Sequence, residues 1–171
     1  FVESLAPLVE ADKFACVLAQ FPSSFRPVKE NIAYLGQLRD GLAGLPVVVE
    51  FRHADWVREE TFDLLRRLDL GYCCVDEPRL RGLMPPVGIA TSSTAYVRFH
   101  GRNAATWWAH EEAWERYNYT YRQEELAGWA PKIKALEQKA ETTLVYFNNH
   151  YVGQAVRGAR DLLQLLLPDL G

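Results

Sequence analysis

The chain has little sulfur, no long apolar run and no excess of positive charge. Its three cysteines are Cys16, Cys73 and Cys74, two of them adjacent and all inside apolar strand-like runs. That is a poor disulfide framework, so the thiols read as small buried hydrophobes in a reduced, cytoplasmic protein. The longest apolar stretches, "LPVVVEF" and "DLLQLLLP", are far too short to span a bilayer. The opening residues show no charged, apolar and cleavable tripartite pattern, so nothing points to secretion. A net charge of −3 gives no overall basic field for nucleic acid. No G-x-S-x-G elbow, P-loop, dinucleotide fingerprint or H-E-x-x-H pair occurs. No cofactor is therefore implied. Hydrophobic residues at 49% and charged residues at 24% describe one soluble globular domain over residues 1–171.

Five apolar runs recur, each closing in polar or turn residues: 14–22, 45–53, 70–78, 95–101 and 142–150. Each is β-branched or aromatic-rich and too continuous for a strand with one wet face, which predicts parallel strands buried on both sides. Segments of helical period lie between most of them, at 28–43, 57–69, 123–140 and 152–167. Their apolar stripes, such as Leu126, Trp129, Ile133 and Leu136, are core faces. The first residues, "FVESLAPLVEADKF", read as the end of a helix feeding the first strand. Strands alternating with helices make this an α/β chain of repeated βα units. Composition alone leaves an open sheet and five-eighths of a barrel both standing.

Two connections break the rhythm. Residues 79–93 carry prolines and glycines without helical period, and residues 102–122 are long, aromatic and polar. A long segment after a strand's C-terminal end is a usual address of function in α/β proteins. Trp107, Trp108, Trp114, Tyr117, Tyr119 and Tyr121 predict an extended lid with polar tips free, or a stacking surface for sugar or base faces.

All five strands turn polar at the same end. They close in Gln20; in Glu50, Arg52 and His53; in Asp76; in Arg98 and His100; and in Asn148, Asn149 and His150. In a parallel array that end is one rim facing one crevice. Period two puts Glu50 with Arg52, and Arg98 with His100, on single faces. The convergence admits a structural ion-pair network in which arginines neutralise buried carboxylates. It also admits acid–base work: Glu50 or Asp76 with His100 exchanging protons, and Arg52, Arg98 and Arg102 holding an anion. The run "NNHYVGQAV" passes through Gly153 into the last helix, where backbone N–H groups form a second candidate phosphate or carboxylate site. Gly153 is equally an ordinary turn residue. A metal held by Glu50, Asp76, His53, His100 or His150 is a weaker reading, because no close-spaced ligand pair occurs and His53 and His100 fall on different faces. No metal site is assigned.

The stretches "QFPSSF" (20–25), "VEFRHADW" (49–56), "VRFHGRN" (97–103), "RYNYTYRQEEL" (116–126) and "YFNNHYVGQAVRGA" (146–159) follow one another in a distinctive order and spacing. On these five motifs the chain resembles domain-of-unknown-function family 72, also called YecE-like, over nearly its whole length. The resemblance implies a TIM-barrel-like (β/α)8 architecture of roughly 240–280 residues. This chain corresponds to the later part, strands four to eight. It implies no reaction, but it makes Gln20, Glu50, Arg52, His53, Trp56, His100, Gly101, Arg102, Asn148 and Asn149 signature positions, in accord with the rim.

The expectation is an enzyme-like barrel taking a small anionic or polyhydroxylated substrate in its C-terminal mouth, by hydrolase, lyase or isomerase chemistry. Glu50, Asp76 and His100 are the candidate proton carriers. Gln20, Arg52, His53, Trp56, Arg98, Arg102, Asn148, Asn149 and Gly153 are the candidate substrate contacts. The alternative is a non-catalytic ligand- or nucleic-acid-binding module, suggested by fourteen arginines against five lysines. A metal-dependent hydrolase or isomerase stands third.

Overall fold

The computed structural model describes residues 1–167, so the last four residues of the single-domain expectation lie outside it. Helix α1 (Val2–Glu10) leads into strand β1 (Val17–Gln20). There follow α2 (Lys29–Gly41), β2 (Val47–Glu50), a short 3-10 turn at Ala54–Trp56, α3 (Glu59–Arg67) and β3 (Gly71–Asp76). Strand β4 (Thr94–Phe99) comes next without an intervening helix, then α4 (Ala113–Tyr117), α5 (Gln123–Ala127) and α6 (Ala130–Glu137). Strand β5 (Thr142–Phe147) and helix α7 (Gln154–Leu166) complete the described chain.

All five strands are parallel and pair in sequence order, β1-β2-β3-β4-β5. Each crossover therefore steps to the next strand in one direction. Right-handed crossovers then place the helices on one face only and leave the other as an inner wall. The sheet is a half-barrel: the βα rhythm predicts its parallel strands, and the family resemblance its barrel curvature.

Pairing sorts the side chains. Gln20 lies beside Glu50, Cys73 beside Tyr96, and Val75 beside Arg98, so these share the inner face. Val49 beside Tyr72, and Asp76 beside Phe99 beside Phe147, share the helix side. Strand β2 is buried throughout, as its continuous Val-Val-Val run requires. Against its outer face stack Phe25, Phe51 and Trp56, with Phe51 and Trp56 centroids 4.2 Å apart.

One predicted helix differs. The single helix expected over 123–140 is two, because Pro131 has no N–H to give and fits only a first turn, here that of α6. The connection 79–93 is irregular as expected, and it covers β3 through Cys74. The Ile89 N–H donates to Cys74 Sγ at 3.4 Å, and the thiol faces the Ile89 carbonyl at 3.5 Å. Burial pushes that thiol up to about 12, despite this hydrogen bonding.

Candidate functional site

The inner rim is organised on Glu50, whose side chain is wholly buried. Arg98 donates to its Oε2 at 2.5 Å and Gln20 Nε2 to the same oxygen at 3.1 Å. His100 Nε2 lies 2.9 Å and Arg52 Nε 3.0 Å from Oε1. Four groups that the sequence places at one rim thus meet on one carboxylate. Burial alone would raise Glu50, but the His100 hydrogen bond and the charges of Arg52 and Arg98 bring it down to about 2. Burial holds His100 below the usual imidazole value, against the pull of Glu50. The ring is therefore neutral near pH 7, donating from Nε2 to Glu50. Its Nδ1 accepts from Asn148 Nδ2 at 3.3 Å, and the Asn148 Oδ1 accepts from Arg98 at 3.4 Å.

Several candidates lie elsewhere. Asp76 points to the helix side, where it accepts from Arg102 at 2.7 and 2.6 Å, from the Tyr121 hydroxyl at 2.9 Å and from Trp129 Nε1 at 2.5 Å. Arg102 also donates to Glu125 at 3.2 Å. Neither residue touches the Glu50 cluster. Trp56 is 1% exposed and donates its indole N–H to the Phe25 carbonyl at 2.7 Å, which places it in the core, away from the Glu50 cluster. Asn149 is buried on the same outer side, donating to the Tyr119 carbonyl at 2.6 Å. His53 pairs with Arg26 and accepts the Asp55 N–H at 3.1 Å, packing against Gly82. Gly153 takes a left-handed conformation (φ 77°) before α7 and is exposed, and none of the described hydrogen bonds joins it to Glu50 or its partners.

The aromatic segment divides in the same way. Tyr121 bridges Asp76 and the Gly101 N–H, which it accepts at 2.9 Å. Gly101 has φ 88°, and a Cβ there would stand 2.9 Å from Tyr119 Cβ, so the turn under this segment admits only glycine comfortably. Trp107 is buried, with the Arg116 guanidinium over its ring, whereas Trp108 is 62% exposed.

A cavity of about 450 Å³ opens on the inner rim. Gln20, Ser23, Arg52, Glu77 and Arg116 supply its polar wall. Phe21, Leu83, Trp107 and Trp108 supply the apolar one. Of the residues singled out in the sequence, the candidate contacts Gln20 and Arg52 reach it, as do Trp107 and Trp108 of the aromatic segment. Glu77 does so without having been singled out. Its Oε1 accepts the Met84 N–H at 2.6 Å, while its buried Oε2 has no partner among the described residues. Burial raises this carboxyl to about 7, beyond what the Met84 N–H and Arg52 take away. Alternation from Val75 would have put Glu77 on the Arg98 face; its neighbour Asp76 drew attention instead.

Among the described residues, no group of three or more His, Cys, Asp or Glu side chains is placed to hold a metal ion. No described helix is long and apolar enough to cross a membrane.

The model of the DUF72 family, "Protein of unknown function DUF72", matches residues 1–169. The chain belongs to the DUF72 family. It is 35% identical to the UPF0759 protein YunF of Bacillus subtilis, over 97% of this chain and 62% of that one. The crystal structure of a DUF72 family protein from Thermotoga maritima superposes with a TM-score of 0.90 at 41% identity, covering 97% of this chain and 63% of that one. A DUF72 protein from Enterococcus faecalis gives 0.90 at 32% identity, with the same coverage. The chain thus spans just under two thirds of the length of these relatives, and the half-barrel is the part of the DUF72 fold that it carries.

Proposed function

We propose that this half-barrel forms strands four to eight of a (β/α)8 enzyme whose inner rim binds a small anionic or polyhydroxylated substrate. The chemistry is acid–base, of hydrolase, lyase or isomerase type. One observation carries the reading: the cavity at the strand ends is bounded by two guanidinium groups, Arg52 and Arg116, beside a titratable carboxyl. Arg52 is held at Nε by Glu50, and its terminal nitrogens have no other partner among the described hydrogen bonds and ion pairs. A guanidinium so anchored recognises a carboxylate or phosphate through two parallel N–H bonds. Gln20 and Ser23 add neutral hydrogen-bonding partners for hydroxyl groups. The cavity is of a size suited to a metabolite.

The Glu50 cluster is the frame of this site. Its carboxylate is ionised and already meets four donors, and His100 has both ring nitrogens engaged. Pairing also weakens the case for a nucleic-acid surface, since Arg26, Arg66, Arg98 and Arg102 face carboxylates. Free thiols at Cys16, Cys73 and Cys74 support a reducing, cytoplasmic setting.

Thermal shift tests the reading, because a ligand that binds the native state raises the melting temperature by linkage. Gluconate, glucose 6-phosphate and inorganic phosphate are compared with sorbitol at equal ionic strength. At least one anion should stabilise the protein and lose that effect in Arg52→Gln. Equal effects of sorbitol and all the anions, or an undiminished anion effect in Arg52→Gln, would sink it.

A further inference from the structure

Glu77 is an unfinished hydrogen-bonding group. It is fully buried, yet it forms part of the cavity wall, and only one of its oxygens is satisfied. A buried carboxylate oxygen without a donor is costly, and a buried carboxylic acid without an acceptor for its proton is costly too. Glu77 is at the same time one of the residues that wall the cavity, so a ligand seated there is the neighbouring source of the partner that Oε2 lacks among the described residues.

We propose that Glu77 is the proton-exchanging residue of this site, its free Oε2 meeting an oxygen of a polyhydroxylated acid that lies across the exposed Trp108 indole. The proposal deepens the anion-binding reading given above and rests on it for the class of ligand. In the donating direction the Glu77 O–H bond breaks and an O–H bond forms on the ligand oxygen. The electron pair stays on Glu77, where the Met84 N–H and the Arg52 charge stabilise it. The reverse step restores the acid.

The surroundings suit this exchange. Arg52 and Glu50 face Glu77 from the end of β2, Asp76 precedes it, and Arg79 follows on the next loop. Arg52 favours the charged form, Glu50 and Asp76 oppose it, and burial outweighs them all. The carboxyl thus titrates near neutrality, while that of Glu50, on the adjoining strand, stays ionised. Two carboxyl groups driven apart in this way divide the labour of acid and anchor. On the other wall, Phe21, Leu83 and Trp108 offer apolar surface against which the C–H face of a sugar acid packs. Its hydroxyl and carboxylate groups then meet Gln20, Arg52 and Arg116.

The decisive experiment treats the full chain with dicyclohexylcarbodiimide, which attacks protonated carboxyl groups shielded from water, and locates the adduct by peptide mass mapping. Glu77 should be the principal site at pH 7. Its rate should fall about tenfold per unit above a midpoint near 7. Modification elsewhere with Glu77 untouched, or a Glu77 midpoint in the ordinary carboxylate range, overturns the proposal. Calorimetry of gluconate binding in buffers of different ionisation enthalpy supplies the second arm. Wild type should exchange a proton with buffer and Glu77→Gln should not; a buffer-independent heat in wild type overturns the proposal. If gluconate, glucose 6-phosphate and phosphate all fail to bind while Glu77 is labelled with a midpoint near 7, the anion reading falls and Glu77 stands as the acid of the cavity.

Discussion

Two buried carboxylates sit at the same rim on neighbouring strands, on opposite faces of one sheet. Asp76, on the helix side, is closed on every side: Arg102 grips it with two nitrogens, and Tyr121 and Trp129 complete its shell. The same arginine runs on to Glu125, which also accepts from the Tyr119 hydroxyl at 2.7 Å and the Arg122 N–H at 2.9 Å. Glu50, on the inner side, is equally well supplied, but one of its partners, Arg52, is a quarter exposed and borders the cavity. The same chemistry therefore does two jobs. The outer cluster joins β3 to α5 and α6, and the inner one holds a guanidinium out toward a ligand. An arginine–carboxylate pair at a strand end is not in itself a functional site; the presence of open space beside it decides.

The comparison can be broken most forcefully at Asp76. Asp76→Asn leaves Arg102 without its main counter-charge in a dry setting and should cost about 3–5 kcal/mol, read from the urea midpoint. If Glu50→Gln costs more, the outer cluster is not the structural one. Next comes the acid limb of stability. The Glu50 carboxyl is lowered from 4.5 to about 2 in the folded protein, so its contribution is complete above pH 4.5 and is lost as pH falls toward 2. That contribution is on the order of 3 kcal/mol, and Glu50→Gln should flatten the stability profile across that window.

Glu77 should behave with the opposite sign. Its carboxyl is raised from 4.5 to about 7, so wild type loses stability as pH climbs through that interval. Glu77→Gln should match wild type at pH 4 and exceed it at pH 8 by roughly 2–3 kcal/mol in denaturant titrations. Gly101→Ala, which forces a Cβ toward Tyr119 at positive φ, should cost about 1–3 kcal/mol by the same measure. The smallest effect on folding belongs to Trp108→Ala, within about 0.5 kcal/mol. That variant should nevertheless weaken gluconate binding several-fold in calorimetry, which separates the ligand face from the packed one.

The parallel βα array was legible because its strands are apolar on both faces and its helices on one; that it curves as part of a barrel came from the five motifs shared with the family. "LPVVVEF" could be nothing wet, and the leucine stripe of residues 152–167 places α7 to within a turn. The break at Pro131 was visible too, but the apolar stripe of Leu126, Trp129, Ile133 and Leu136 runs on across it and hides it. Within the rim, alternation along single strands sufficed for Glu50 with Arg52 and for Arg98 with His100. It failed where the choice lay between two consecutive polar residues at the end of one strand. Whether Asp76 or Glu77 shares the face of Arg98 depends on the register of β3 against β4, and register follows from pairing geometry that no single strand encodes. Trp56, a signature position of the family, and Asn149, at a strand end, both belong to the side packed against helices and loops.

The cysteine that meets Ile89 has a consequence for how this protein can be watched. A thiol whose proton is held so tightly, and which is wholly enclosed, reacts with iodoacetamide only while segment 79–93 lifts away from β3. Alkylation at Cys74 is thus a clock for that excursion. Because the same segment carries Leu83 and follows directly from Glu77, the clock times the wall of the cavity as well.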